Sequence, residues 1–359
     1  MSAVTPIARA SAHASGPPSS SNRAVAAWLF ACCALVFAIV VVGGITRLTR
    51  SGLSITEWQP IFGAVPPLSP SDWQVAFDKY RATPEYAQVN RGMSLDAFKR
   101  IFWWEYAHRL LGRILGVAFL VPLLGFAVRR RIPPNHGAKL AGIFVLGTVQ
   151  GALGWYMVQS GLVDDPRVSP LRLTAHLTLA FVILGALLWL ALSLVFPRRH
   201  ASVSPQLRSA RLWASAIAAL VLVLVASGGL VAGIRAGAAY NTFPLMNGAL
   251  VPPEILMIDP WWKNFVWNMA TVQFDHRLGA LTLFVLVPLL WWKVMRCGDR
   301  PSRAVASAHA LIALVLLQIL VGIATLVAGV PIVLAALHQA GAVLVFAGSL
   351  NLAHALLEA

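Results

Sequence analysis

The chain of 359 residues is 58% hydrophobic and only 11% charged, with a mean hydropathy of +0.73, which excludes an ordinary soluble domain and points to a lipid bilayer. Its formal charge of +15 then reads as membrane topology plus attraction to anionic lipid, and no nucleic-acid partner is expected.

Residues 1–24 (MSAVTPIARASAHASGPPSSSNRA) are rich in Ser, Ala and Pro and are expected to form a disordered tail. Arg9 and Arg23, without an acid, give this tail a faint likeness to an organelle-targeting peptide. A short cytoplasmic tail at a bacterial inner (cytoplasmic) membrane is the preferred reading, and the mitochondrial inner membrane the less favoured one. Apolar stretches then recur at 25–45, 107–128, 138–159, 173–196, 212–234, 274–295, 305–329 and 332–356. Each supplies about 20 residues, enough to cross about 30 Å of hydrocarbon at about 1.5 Å per residue. Their unbroken apolar character predicts helices rather than barrel strands.

Basic residues set the orientation. The loops after the second, fourth and sixth stretches carry Arg129, Arg130, Arg131 and Lys139, then Arg198, Arg199, Arg208 and Arg211, then Lys293, Arg296, Arg300 and Arg303. These loops are expected to face the cytoplasm. The long loops 46–106 and 235–273 then lie outside, as does the loop in which Asp164 and Asp165 balance Arg167 and Arg172. Both termini lie inside.

The second half of the chain repeats the first. VVGGITRLTRSG near residue 41 returns as VASGGLVAGIRAG near 225, and EYAHRLLGRILGVAFLVPLL returns as QFDHRLGALTLFVLVPLL. GTVQGALGWYMVQSGL pairs with LLQILVGIATLVAGV, and LTAHLTLAFVILGALL with LAALHQAGAVLVFAGSL. The expected fold is therefore all-α, with eight transmembrane helices in two pseudo-symmetric four-helix bundles, 25–196 and 212–359, joined by a cytoplasmic linker at 197–211.

The repeat places His108 and His176 in one half and His276 and His338 in the other, all at the outer ends of helices. Histidine near hydrocarbon is costly unless it is buried, paired or coordinated. Within each bundle the pair sits on the second and fourth helices, which run parallel and can lie diagonally across the core, facing one another through a flat ligand. Axial ligation of haem iron is the economical purpose; interfacial contact with headgroups is the competing one. His13, His136, His200, His309 and His354 lack the repeat and carry no such argument. Cys32 and Cys33 fall in the first helix and Cys297 in a cytoplasmic loop, so neither an outer disulfide nor a Cys-x-x-Cys-His attachment is expected, and any haem is held non-covalently.

Glu105 precedes His108 by one helical turn, where the second half has Gln273. A carboxylate there could shuttle protons or stabilise developing positive charge; capping of the helix N-terminus is the alternative. Asp275, which projects about 100° away from His276 on a helix, is read as a cap or as a group that supports the ligand from behind. Arg109 and Arg277 follow the histidines directly and Arg113 lies one turn deeper, opposite Leu281 in the repeat. Their guanidinium forks suit haem propionates, and snorkelling to the interface competes with that reading. Arg47 and Arg50 fit either purpose. Trp103, Trp104, Trp261, Trp262 and Trp267 fit an aromatic belt, while Trp58 is placed to cover a site.

GGITRLTRSGLSITEWQPIFGAVPPL, WWEYAHRLLGR, NTFPLMNG, FDHRLGA and LHQAGA, spread over residues 25 to 357, resemble the haem A synthase family. The resemblance implies an eight-helix membrane enzyme that oxidises the C8 methyl of haem O to a formyl group by successive hydroxylations, giving haem A for cytochrome c oxidase. It implies that His276 and His338 ligate haem b, that His108 and His176 flank the substrate haem O, and that Glu105 is the glutamate of the family's Glu-x-x-His motif. Electrons would enter through the C-terminal haem b. A haem O synthase and an electron donor of unspecified nature are the implied partners; homo-oligomerisation stays open. Paired outer-loop cysteines found in some relatives are absent here. A di-haem b electron-transfer cytochrome would show the same histidines but make no haem A, and a transporter of parallel repeats would lack haem absorption.

Overall fold

A computed structural model describes residues 20–59, 62–162, 166, 168–197 and 204–358. Residues 1–19 of the expected tail, Asp164, Asp165 and Arg167 of the expected balanced loop, and Arg198, Arg199 and His200 of the expected linker lie outside the described residues. Among the described residues, eight helices are long and apolar enough to cross a membrane: α1 (Ser20–Leu48), α4 (Leu95–Val128), α5 (Gly137–Gln159), α6 (Pro170–Val195), α7 (Pro205–Gly233), α9 (Met269–Met295), α10 (Ser302–Val327) and α11 (Ile332–Ala355). The chain is thus an all-α, multi-pass membrane protein. Short helices α2 (Pro70–Arg81), α3 (Pro84–Gln88) and α8 (Asn264–Trp267) lie in the connections.

Several helices start earlier than their apolar stretches, among them α7, which begins at Pro205 inside the expected linker. α1 begins at Ser20, inside the expected tail, and the Ser21 hydroxyl donates to the Arg131 carbonyl at 2.6 Å. α4 runs for 34 residues from its Ser94 cap, a length of about 50 Å, so its first turns stand clear of about 30 Å of hydrocarbon. Those turns carry Phe98 and Phe102, which bury against Trp73, Phe77 and Tyr80 of α2. α2 starts with a reciprocal capping box, in which Asp72 N donates to Ser69 Oγ and Ser69 N to Asp72 Oδ2. The long loop after α1 is therefore a folded aromatic cap.

In the first half α1 packs on α4 and α6, and α5 bridges α4 and α6; in the second α7 packs on α9 and α11, and α10 bridges α9 and α11. α4 and α5 touch only sparingly. The halves meet where α6 lies on α7 and α11, and α1 on α11. Phe181 and Phe346 meet there with ring centroids 5.5 Å apart and planes tilted by 55°, within a core that includes Leu184, Leu187, Ile217 and Val343. At the histidine end, Arg47 Nη2 of α1 donates to the Ala232 and Gly233 carbonyls that finish α7, at 3.2 and 3.3 Å.

At the opposite end the fully buried His354 takes part in a structural network rather than standing idle. It shares Nδ1 with Arg303 Nη2 at 2.8 Å and Nε2 with Ser193 Oγ at 3.2 Å, and Arg303 also pairs with Glu358. α6, α10 and α11 are pinned together there.

Candidate functional site

His176, His276 and His338 sit about two turns into α6, α9 and α11, and His108 lies deeper in the extended α4. Helix alternation brings all of them to the end of the molecule where α1 finishes. The His276 and His338 rings face each other with centroids 6.4 Å apart and planes at 77°. A metal–imidazole bond is about 2 Å, so the separation would fit one iron held between the two rings.

Each histidine rests on a glycine of the preceding membrane helix. A Cβ at Gly43 would lie 2.8 Å from His108 Cε1, one at Gly154 2.9 Å from His176 Cε1, one at Gly228 3.2 Å from His276 Cε1 and one at Gly322 2.7 Å from His338 Cε1. Side-chain-free backbone is what lets an imidazole stand upright between two helices. A glutamine one turn before two of these glycines grips the histidine from the side. Gln150 Nε2 donates to the His176 carbonyl at 3.0 Å, and Gln318 Nε2 to that of His338 at 2.8 Å, each amide also lying against a ring nitrogen at 3.4 and 3.1 Å. The Ser227 hydroxyl meets His276 Nδ1 at 3.3 Å.

The donor set narrows the chemistry. His108 Nδ1 and His176 Nδ1 are buried without a hydrogen-bond partner, a condition that costs about 1–3 kcal/mol per group unless something binds there. Among the described residues no three His, Cys, Asp or Glu side chains converge as a bare-metal site. Pairs of imidazoles fit an iron that brings its own equatorial nitrogens, which is what haem does.

Glu105 is 2% exposed, and all its contacts run outward. Oε1 accepts from Arg109 Nε and Nη2 at 3.0 and 2.6 Å; Oε2 accepts from Ser54 Oγ and Ile55 N at 2.7 and 2.8 Å. Arg109 continues to the Glu57 and Ile55 carbonyls, and Arg113 Nη2 to the Gln59 carbonyl at 2.8 Å. Together they clamp residues 54–59 over the outer mouth of the first pair. The second half repeats the device with an amide: Gln273 Nε2 donates to Ala236 O at 2.7 Å, Gln273 Oε1 accepts from Arg277 Nη2 at 2.8 Å, and Arg277 reaches Tyr240 O at 2.9 Å. Glu105 is no helix cap, since α4 begins ten residues earlier at Leu95. Nor is Asp275, because Asn268 caps α9, its Oδ1 accepting from Ala270 N at 2.9 Å. Asp275 instead lines a lateral apolar groove with Leu224, Ser227, Phe265, Val272 and Gly279.

Trp58 lies 6.4 Å from Trp155 of α5, ring to ring, closing one side of the mouth. Trp103 packs on Trp73 and Tyr106, joining the aromatic cap as well as facing outward. Glu85, at the start of α3, is a residue that sequence reasoning missed. It is 5% exposed with Oε2 unpartnered. Burial pushes its carboxyl up to about 7, the Glu105 charge adding to the rise while the Tyr80 hydroxyl, Arg50 and Arg235 oppose it. The histidine-seating glycines and the two glutamines were also missed; their signal is the Gln-x-x-x-Gly shared by α5 and α10.

A helical, multi-pass membrane protein with four half-buried histidines gathered at one end of its helices is the class this fold and site define. The chain belongs to the COX15-CtaA family, cytochrome oxidase assembly protein, whose model matches residues 26–350. It is 55% identical over 335 residues to "Heme A synthase" of Nitrosospira multiformis, covering 93% of this chain and 94% of that one. It is 52% identical over 331 residues to "Heme A synthase" of Nitrosomonas eutropha, covering 92% and 93%.

Proposed function

We propose that this chain is a haem A synthase, which oxidises the C8 methyl of haem O to a formyl group and supplies haem A for cytochrome c oxidase. The observation that carries the reading is the set of four half-buried histidines in two pairs, each ring seated on a glycine, in a chain of this family. His276 and His338 are assigned to haem b, and His108 and His176 to the substrate haem O, within bundles 25–196 and 212–359 of a bacterial inner-membrane protein with both termini in the cytoplasm. Haem b, held by the C-terminal pair, supplies one-electron transfer.

The chain's own residues position and enclose the substrate. His108 and His176 fix its iron, and Gly43 and Gly154 leave room for the rings to stand. The sparse contact of α4 with α5 leaves a lateral way in for a haem with a long isoprenoid tail. The Glu105–Arg109–Arg113 clamp and Trp58 close the outer mouth and exclude water from the methyl under attack. Arg109, Arg113 and Arg277 border the mouths where propionate carboxylates are expected to lie. Glu105 places a carboxyl group one turn from His108, where the other half has the amide of Gln273; this difference supports oxidation at the first site.

The test is to produce the chain with a haem O synthase in cells lacking haem A and to extract the haems. Haem A formed only when the chain is present is the expected outcome. Haem O alone, with the purified protein still carrying low-spin haem b, would overturn the reading in favour of an electron-transfer cytochrome.

A further inference from the structure

Adjacent glycines of α1 face different histidine sites. Gly43 abuts His108 of its own half, whereas a Cβ on Gly44 would fall 1.8 Å from Oε1 of Gln339, the residue after His338 in the other half. Gln339 is held in that notch, its Nε2 donating to the Val40 carbonyl of α1 at 2.8 Å. The counterpart diglycine in α7 does the same in reverse. Gly228 abuts His276 of its own half, whereas a Cβ on Gly229 would lie 3.0 Å from Thr174 Oγ1 and 3.2 Å from Thr174 Cα, two residues before His176.

We propose that the two diglycines are positioning elements that couple the sites: in each, the first glycine seats the histidine of its own half, and the second sets the place of a histidine-bearing helix in the other half. The proposal rests on the haem assignment above. Physically, the contact at Gly229 reaches the Thr174 backbone as well as its side chain, so an added methyl presses on α6 itself. The contact at Gly44 meets a carboxamide that cannot swing away without giving up its bond to Val40, which leaves a buried polar group unsatisfied. A displacement of a few tenths of an ångström at either notch is carried one or two residues along a stiff helix to an iron ligand.

The test compares Gly43→Ala, Gly44→Ala, Gly228→Ala and Gly229→Ala in the full-length protein. Gly44→Ala should shift the electron paramagnetic resonance of the low-spin haem b, although it lies on an N-terminal helix. Gly43→Ala should leave that signal in place and cut haem A formation about tenfold or more. Gly229→Ala should likewise cut haem A formation with the haem b signal intact, and Gly228→Ala should shift the signal. In haem-free protein, the imidazole nitrogen chemical shifts of His338 should move with Gly44→Ala and not with Gly43→Ala. Gly44→Ala combined with Gln339→Ala should restore the haem b signal, because the smaller side chain vacates the notch. If each variant disturbs only the site of its own half, or the double variant fails to restore the signal, the coupling is wrong. A wild-type protein without low-spin haem b would instead overturn the haem assignment, while the His338 shifts still decide the coupling.

Discussion

At the residue scale, a membrane histidine acquires a role through what its neighbours leave vacant or bonded. His276 and His338 stand 6.4 Å apart on glycine seats, so His276→Ala or His338→Ala should remove or alter the low-spin b-type spectrum of purified protein, while His108→Ala and His176→Ala should chiefly abolish turnover. An unaltered spectrum in both C-terminal variants would exclude that pair as ligands. Glu105 accepts on both oxygens, two of its donors coming from Arg109. Glu105→Gln puts the repeat's own amide at this place, but one side of the amide would then face the Ile55 N–H, at a cost of about 1–3 kcal/mol. Haem b should stay bound, haem O should accumulate with little haem A, and amide exchange in residues 54–59 should quicken. Normal haem A at matched protein abundance would leave Glu105 as a loop clamp alone.

At the element scale, the aromatic cap carries its own titration. Glu85 is an acid whose carboxyl is raised in the folded protein from 4.5 to about 7. The protonated, folded form is therefore favoured: the contribution is whole below about 4.5 and is lost as pH rises through about 7, the difference being on the order of a few kcal/mol. Thermal or proteolytic opening of residues 66–94 should be easier at pH 8 than at pH 5, and Glu85→Gln should flatten that dependence. An unchanged profile in the variant would place the titration elsewhere. The sequence reveals the membrane helices readily, because long apolar runs have no competing soluble reading, and it reveals the histidines because a polar ring in such a run needs a reason. It hides the cap: residues 95–106 mix charge with aromatics and read as loop, although they continue α4 outward, and the Ser69–Asp72 box is too short a signal to stand out in a long connection. The glycine seats are hidden for another reason, since a glycine in an apolar helix has no period to betray which neighbour it faces.

At the scale of the whole molecule, orientation decides where chemistry occurs. Reporter fusions at Asn135, Gln206 and Asp299 should read cytoplasmic, and fusions at Ser71 and Gly248 external, because the basic residues gather in the first set of loops. Cytoplasmic signals from Ser71 and Gly248 would put the histidines at the inner face. Nothing in the sequence anticipates that the halves interlock through Arg47 on α7 and Gln339 on α1, since no spacing rule reaches from one half to the other. The clamp over residues 54–59 has a kinetic consequence. With the outer mouth tied shut by the Glu105–Arg109 ion pair, and on the proposal that substrate enters through the α4–α5 seam, haem O would arrive by diffusion in the plane of the membrane. Saturation of such an enzyme is governed by the mole fraction of haem O among the surrounding lipids, so diluting the same amount of haem O with extra phospholipid slows turnover as surely as withdrawing it.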